Sequence, residues 1–293
     1  MRRLRDKVVA ITGAAGGIGS ALARRLGREG ARLALLDLDL GAARALAAEL
    51  RAGGSEALAL GCDVTSEEQC ERAFATLAAE LGGPDVLVNN AGLTALGPFA
   101  ETEPQVWRRV LEVNLMGSVL CTRAALGALR ARRGWIVVIS SVAGFAPLVG
   151  RAAYAASKHA LHGAFATLRA ELAAEGVGVT LVCPSYIDTP ILSRALDARG
   201  QPLGGSPTLA GRRMAPAVLA EAIVRGLVAE RALVLPGWTS RAAWWLSRLA
   251  PGLYERLMRR HEREHRRWAE GARPAGAPAR AEGAGGPAGR AAP

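Results

Sequence analysis

The run VVAITGAAGGIG, Val8–Gly19, decides the fold. Five residues, Val8–Thr12, form a short apolar run that breaks into a glycine-rich turn, and an amphipathic pattern over Ile18–Arg28 follows at once. Strand, tight turn and helix in that order open a βαβ unit. Glycines let the backbone approach a pyrophosphate closely. The helix N-terminus behind them offers unpaired N–H groups and the positive end of its dipole. Any sharp strand-to-helix turn can use glycine, so the weight of the signal comes from its place after the first strand. Gly13, Gly17 and Gly19 are spaced GxxxGxG.

Outward from this turn the same alternation repeats. Apolar runs fall at Leu33–Asp37, Ala57–Leu60, Val86–Asn89, Trp135–Ser140, Val177–Cys183 and Ala232–Leu235. Most are continuous rather than alternating, as in parallel strands covered on both faces. Amphipathic segments at Ala42–Ala52, Glu67–Leu81 and Ala152–Glu175 lie between them. The expected fold is α/β, a doubly wound parallel sheet of the Rossmann kind. Residues 1–236 make one catalytic domain, 237–270 a basic, Trp-rich helical extension, and 271–293 a tail of Ala, Gly, Pro and Arg too poor in apolar surface to fold. Tyr186–Met214 breaks the rhythm as a long loop.

The net charge of +11 raises nucleic acid or a membrane as partners. Residues 237–293 hold 11 Arg against 5 acids, so the excess gathers at one end while the body is nearly balanced. No basic stripe with interleaved aromatics crosses the body, so nucleic acid is not expected. Cys62, Cys70, Cys121 and Cys183 are scattered without a CxxC pair and read as small apolar residues of a reducing compartment. No signal-type segment precedes the first strand, and the uncharged stretch Gly134–Gly150 is too short to span a bilayer, so a cytoplasmic protein is expected. The chain has 35 Arg but only two Lys, Lys7 and Lys158, so each Lys invites a specific reason.

Asp37 ends the second apolar run. A carboxylate there can accept hydrogen bonds from adenosine ribose hydroxyls and would repel a 2′-phosphate. No Arg or Lys stands at 16 or 38 to neutralise such a phosphate, so NAD(H) is favoured over NADP(H). Tyr154 and Lys158 are four apart on an expected helix and share a face. A phenol with a pKa near 10 is a poor base at neutral pH, and a nearby ammonium can lower it by about 1–3 units. Tyr154 then serves as a general acid/base. Ser140-Ser141 falls at the end of the preceding strand, where sites in open parallel sheets lie.

These residues resemble the short-chain dehydrogenase/reductase family over roughly residues 5–236. The chain carries Thr12–Gly19, Asp63-Val64, Asn89-Asn90-Ala91-Gly92, Asn114, Ser141, Tyr154-x-x-x-Lys158 and Pro184-x-x-x-x-Thr189-Pro190 in the family's order. The resemblance implies that Tyr154 moves the proton, and that Lys158 lowers its pKa and binds the nicotinamide ribose. Ser141 would orient the substrate oxygen, and Asn114 would hold a relay water. Ser141 lies 13 residues before Tyr154, the family spacing, with Ser140 the next choice. By the same resemblance, Gly13, Gly17, Ile18 and Gly19 take the pyrophosphate, and Asp63 and Val64 contact adenine. Asn90, Ala91 and Gly92 line the cleft, and Pro184, Ile187 and Thr189 hold the carboxamide. Ser185 departs from the Gly usual after the Pro.

The implied activity is NAD(H)-dependent interconversion of a secondary or lipophilic alcohol and its carbonyl. An epimerase or dehydratase would carry a GxxGxxG turn and a longer substrate domain, both missing. A non-catalytic NAD(H) sensor or scaffold would not need Asn114, Ser141, Tyr154 and Lys158 together. His261-Glu262-Arg263-Glu264-His265 matches HExxH, but it sits in an Arg-rich terminal helix with no third ligand after it, and no metal is expected. His159 and His162 are read as packed or solvent-facing, Trp107 and Trp135 as core or rim. Ile191, Leu192, Leu196, Leu203, Leu209 and Met214 would make the 186–214 loop an apolar lid. A homodimer or homotetramer is expected through the helices carrying Asn114 and Tyr154, with Leu161, Ala164, Phe165 and Leu168 on the pairing face. In the extension Trp238–Trp268, split at Pro251-Gly252, Leu246, Leu249, Leu253 and Leu257 fall on one helical face beside many Arg. Two readings of it stand level: peripheral contact with anionic lipid, or packing on the protein itself.

Overall fold

The computed structural model describes residues 4–189, 191, 194–203 and 213–259. Seven strands form one parallel sheet: β1 Val8–Thr12, β2 Arg32–Asp37, β3 Ala57–Gly61, β4 Val86–Asn89, β5 Trp135–Ile139, β6 Gly178–Val182 and β7 Leu233–Val234. Their order is β3-β2-β1-β4-β5-β6-β7. The chain leaves β1 towards β2 and β3, then returns across β1 to β4. That reversal opens a crevice at the C-terminal ends of β1 and β4.

Helices cover both faces: α1 Gly17–Arg28, α2 Leu40–Ala52, α3 Glu67–Leu81, α4 Pro104–Leu111, α5 Gly117–Ala131, α6 Ala152–Glu171, α7 Pro216–Val228 and α8 Gly237–Leu249. Asp39 and Ser66 cap α2 and α3, each accepting a backbone N–H three residues on. One apolar layer joins β1, β2, α1 and α7 through Ile11, Leu22, Leu35 and Ile223. The other joins β4, β5, α3, α5 and α6 through Leu77, Leu87, Ile136 and Phe165. Fully burying one such side chain is worth about 1.5–3 kcal/mol. At the N-terminal edge of the sheet Lys7 finds its specific reason, because its Nζ lies 3.0 Å from the buried Asp85 carboxylate.

α4, a π-helical turn at Glu112–Met116 and α5 run on as one helix, Pro104–Ala131. By length and hydropathy it could cross a membrane, but here Val106, Val110, Cys121 and Leu129 pack inward.

Two expectations need correction, and a third gains detail. Leu161 and Phe165 are core residues, 1% and 2% exposed, so they cannot form a pairing face. Ala164, with Gly163 and Thr167, is the part of α6 that faces outward. The cysteines are buried and free, as small apolar residues would be, and Cys62, Cys70 and Cys121, far apart in sequence, meet behind β3 with Sγ–Sγ separations of 3.9 and 3.7 Å. In the loop, Leu196 packs with Ala95 in a third apolar cluster and Met214 on the main core, so much of its apolarity is packing. Leu192, Leu209, Pro190, the HExxH run, Trp268 and residues 271–293 lie outside the described residues.

Candidate active site

Two adjoining cavities sit at the crevice, of about 320 and 330 Å³. Ile18, Asn90, Gly92, Thr189 and Ile191 line both.

The first is built on the glycine turn. Gly13 takes φ +60°, and a Cβ there would stand 2.9 Å from Ala91 Cα; one on Gly19 would stand 2.4 Å from the Gly13 carbonyl oxygen. Both glycines are thus required by the chain's own approach to itself. Asn90 fixes the turn, its Nδ2 donating to the carbonyls of Thr12 and Gly13 at 2.9 Å. The Asn90 and Ala91 amides donate to Thr12 Oγ1 at 3.0 Å. α1 opens with no side-chain cap and no acid in its first turn, which leaves its N-terminus to an outside anion.

Asp37 lies at the far side of this cavity, 9% exposed, its Oδ2 accepting the Ala15 amide and its Oδ1 the Asp39 amide. Asp63 and Val64 complete the wall. Burial works against ionising Asp63, but the Thr65 amide and hydroxyl, with Arg109 nearby, outweigh it and hold its carboxyl below the usual range. These residues fit a dinucleotide: an anion seat at α1, hydroxyl acceptors at Asp37 and an apolar slot at Val64. Bound there, NAD would supply the hydride acceptor.

The second cavity gathers the residues expected to carry the chemistry. Ser141, at the end of β5, has its Oγ accepting the Ala143 amide at 3.1 Å and donating to the Pro184 carbonyl at 3.5 Å. Ser140 is turned away, its Oγ engaged with His162 Nε2 at 3.1 Å and the Lys158 carbonyl at 3.4 Å. Lys158 is 5% exposed and donates to the Ile139 carbonyl at 2.8 Å. Its Nζ stands 5.6 Å from the Tyr154 ring centre, and burial pushes its pKa down to about 8. Burial raises the pKa of Tyr154, with the Ser141 hydroxyl and the Arg151 charge opposing. The Lys158 ammonium, expected to lower it, is held by the Ile139 carbonyl and keeps its charge.

Asn114 sits in the π turn, fully buried. Its Oδ1 accepts the Leu93 amide, and its Nδ2 donates to the Leu93 carbonyl and Ser157 Oγ. Its side chain therefore ties the β4 loop to α6. A Cβ on Gly92 would come 3.3 Å from Asn114 Oδ1 and 3.8 Å from Lys158 Nζ, so glycine keeps that corner open. Pro184, Ser185, Ile187 and Thr189 line the same cavity. Ser185 is not among the residues of positive φ, so the departure from Gly strains nothing.

Three further features shape this cavity. Arg151, at the N-terminal end of α6, is 8% exposed and faces the cavity. His162 packs edge-on to Phe145 and meets Cys183 Sγ at 3.4 Å; burial holds its pKa down to about 4, so it is neutral. His159, by contrast, is exposed. The far wall comes from the extension: Ala243 and Leu246 of α8, with Tyr254 and Met258 of the helical stretch 251–259. Packing of the extension on the protein itself was one of its two expected readings, and the Pro at 251 restarts the helix as expected.

A nucleotide seat at the switch point of a parallel sheet, beside a Ser-Tyr-Lys cluster, defines a dinucleotide-dependent oxidoreductase. A family profile described as short chain dehydrogenase matches residues 7–200, and the chain belongs to that family. It is 37% identical to dehydrogenase/reductase SDR family member 7B of Bos taurus, over 90% of this chain and 84% of that one. It is 38% identical to a cyclopentanol dehydrogenase of Comamonas sp., over 81% and 95% of the two chains. Among solved structures, a short chain dehydrogenase/reductase from Burkholderia phymatum in complex with NAD superposes with a TM-score of 0.78 at 28% identity, covering 86% and 96%. The protein is an enzyme, an oxidoreductase of this family.

Proposed function

We propose that the enzyme interconverts a secondary alcohol with a largely apolar body and its ketone, using NAD(H), with Tyr154 as the group that moves the proton. The observation that carries this is the meeting of Ser141, Tyr154 and Lys158 in a cavity that shares a wall with the glycine-turn cleft.

In the oxidising direction Tyr154 takes the hydroxyl proton; in the reducing direction it returns one to the carbonyl oxygen. Ser141, which lines the same cavity as the phenol, holds the substrate oxygen beside it. Lys158 presents a cation that can leave Ile139 for a ribose hydroxyl. Asn114 fixes the loop and helix between which these groups stand. Preference for NAD(H) is supported by the acidic end of β2 and by Leu38, exposed and uncharged, next to it. An apolar substrate body is supported by Val142, Leu148, Leu246 and Met258 on the cavity wall. A relative named for cyclopentanol is in keeping with a secondary alcohol.

A panel of cyclic and open-chain secondary alcohols, offered with NAD and with NADP and followed at the nicotinamide absorbance, tests this. Turnover with NAD well above NADP is expected. Binding of NADH without turnover of any alcohol or ketone would favour a sensor instead.

A further inference from the structure

Arg151 stands at the N-cap of α6, one turn before Tyr154. A guanidinium is charged at every working pH, and arginine is almost never buried without a partner. Arg151 is buried, yet among the described residues no carboxylate pairs with it, and its Nη2 has no hydrogen-bond partner. Burial weakens its hold on its proton, and the groups that act the other way are the phenols of Tyr186 and Tyr154, not an acid.

A second orphan lies in the same cavity. Thr94 is 1% exposed and its Oγ1 has no partner. The loop carrying it is tied to the residue before Arg151, because the Gly97 amide donates to the Gly150 carbonyl at 2.9 Å. No Asp or Glu lines this cavity among the described residues, while Arg151, Lys158 and Arg213 do. Arg213 pairs with Asp188 at 3.5 Å, and Lys158 is held by Ile139. The unanswered charge is therefore that of Arg151. Buried donors left without partners are costly and rare, so two of them on residues of one cavity lining mark a place that a ligand with acceptors would stabilise.

We propose that Arg151 and Thr94 form an anion subsite of the substrate pocket. The substrate is then a hydroxy or keto compound with a carboxylate a few atoms from the reacting carbon, and its apolar remainder runs beneath α8 and residues 251–259. The proposal rests on the oxidoreductase reading of this same site. The planar guanidinium fork matches a carboxylate, and the hydroxyl of Thr94 on the same cavity lining supplies a further donor. The spacing follows from the helix: positions 151 and 154 are neighbours on one face, and the charge at 151 is felt at the Tyr154 phenol.

The test uses 2-, 3- and 4-hydroxy acids with a medium-length apolar chain, each paired with its methyl ester and assayed with NAD. The readout is the ratio of kcat/KM for acid over ester within one protein, so a general loss of folding or activity cancels. The wild type should favour the acid at one spacing or more by about 10- to 100-fold, the worth of a charge-assisted hydrogen bond. Arg151→Met should bring the ratio to about one, and Arg151→Lys should keep part of it. Independently, the deoxy acid should bind the NADH complex, read by NADH fluorescence, and weaken by a similar factor in Arg151→Met. Esters turned over as well as acids at every spacing, or an acid preference that survives Arg151→Met, would overturn the subsite and leave the oxidoreductase reading standing. Binding of the deoxy acid that depends on Arg151, with no turnover of either series, would keep the subsite and overturn the oxidoreductase reading. Neither turnover nor Arg151-dependent binding would overturn both.

Discussion

Asp37 and Lys158 show how much of the site is prepared by burial and backbone contacts alone. Asp37 has both oxygens aimed by the Ala15 and Asp39 amides, so a ribose meets a carboxylate already fixed. Leu38 beside it is 71% exposed, with room for a longer side chain. Asp37→Ser with Leu38→Arg removes the repulsion and adds a phosphate partner; the kcat/KM ratio of NADP to NAD should rise at least about tenfold. No change in that ratio would show that preference is set elsewhere. Lys158 carries the opposite lesson, a cation held where it costs stability. Its folded pKa of about 8 lies below the ordinary 10.5. Below pH 8 folded and unfolded chains both hold the proton, and the folded chain bears the full cost. Between pH 8 and 10.5 the unfolded chain holds it longer, so stability rises with pH; above that window the cost is gone. At 1.36 kcal/mol per pH unit the gap corresponds to about 3 kcal/mol, less about 1 for the lost bond to Ile139. Lys158→Met should therefore unfold at higher urea than the wild type at pH 7, with the difference closing towards pH 10.5. A less stable variant at pH 7 would contradict this.

At the scale of elements, α8 is the least expected part of the site. Trp244 stacks edge-on to Phe145 at 4.9 Å, and the Arg248 guanidinium lies 3.1 Å above the Trp244 ring. These contacts dock α8 on the short turn after Ser141. Trp244→Ala should loosen that docking by about 1–2 kcal/mol, the aromatic pair and the cation–π contact together. The expected signs are faster tryptic cleavage at Arg241 and Arg248 and a raised KM for apolar alcohols, with NADH affinity kept. Unchanged KM would mean that α8 does not shape the pocket. The strands and the glycine turn were legible because a continuous apolar run and a glycine spacing are local. α3 runs Glu67–Leu81 and β1 Val8–Thr12, as their patterns alone give. The rest depended on which side of a helix faces what. Leu161 and Phe165 recur at helical spacing whether they meet a partner or the core. Leu246, Leu249, Leu253 and Leu257 were expected on one face, but Leu246 lines the cavity while Leu249, at the end of the same helix, is 77% exposed, and the helix stops there before Leu253 and Leu257. Arg151 looked like any other Arg of an Arg-rich chain; only the absence of a partner around it, a property of the fold, sets it apart.

At the scale of the molecule, the two readings of the extension divide between its two sides. Trp244, Leu246 and Tyr254 turn inward, while Trp238, Trp245, Leu249 and Leu253 stay exposed beside the cavity mouth, with Arg241 and Arg256 among them. An exposed Trp-rich stripe with arginines predicts co-sedimentation with anionic vesicles that weakens at high salt and is lost in Trp245→Ser/Leu249→Ser. Protein that stays in the supernatant at low salt would leave the stripe to a protein partner. The central claim is narrower: one phenol at the seam between a nucleotide cleft and an alcohol pocket moves the proton. Tyr154→Phe keeps the ring and removes only that hydroxyl, so turnover of the best alcohol with NAD and binding of NADH, measured on the same preparations, test it most directly. A loss of turnover by a factor of about 10²–10⁴ with NADH affinity intact is the predicted result. Wild-type turnover by Tyr154→Phe would contradict the account.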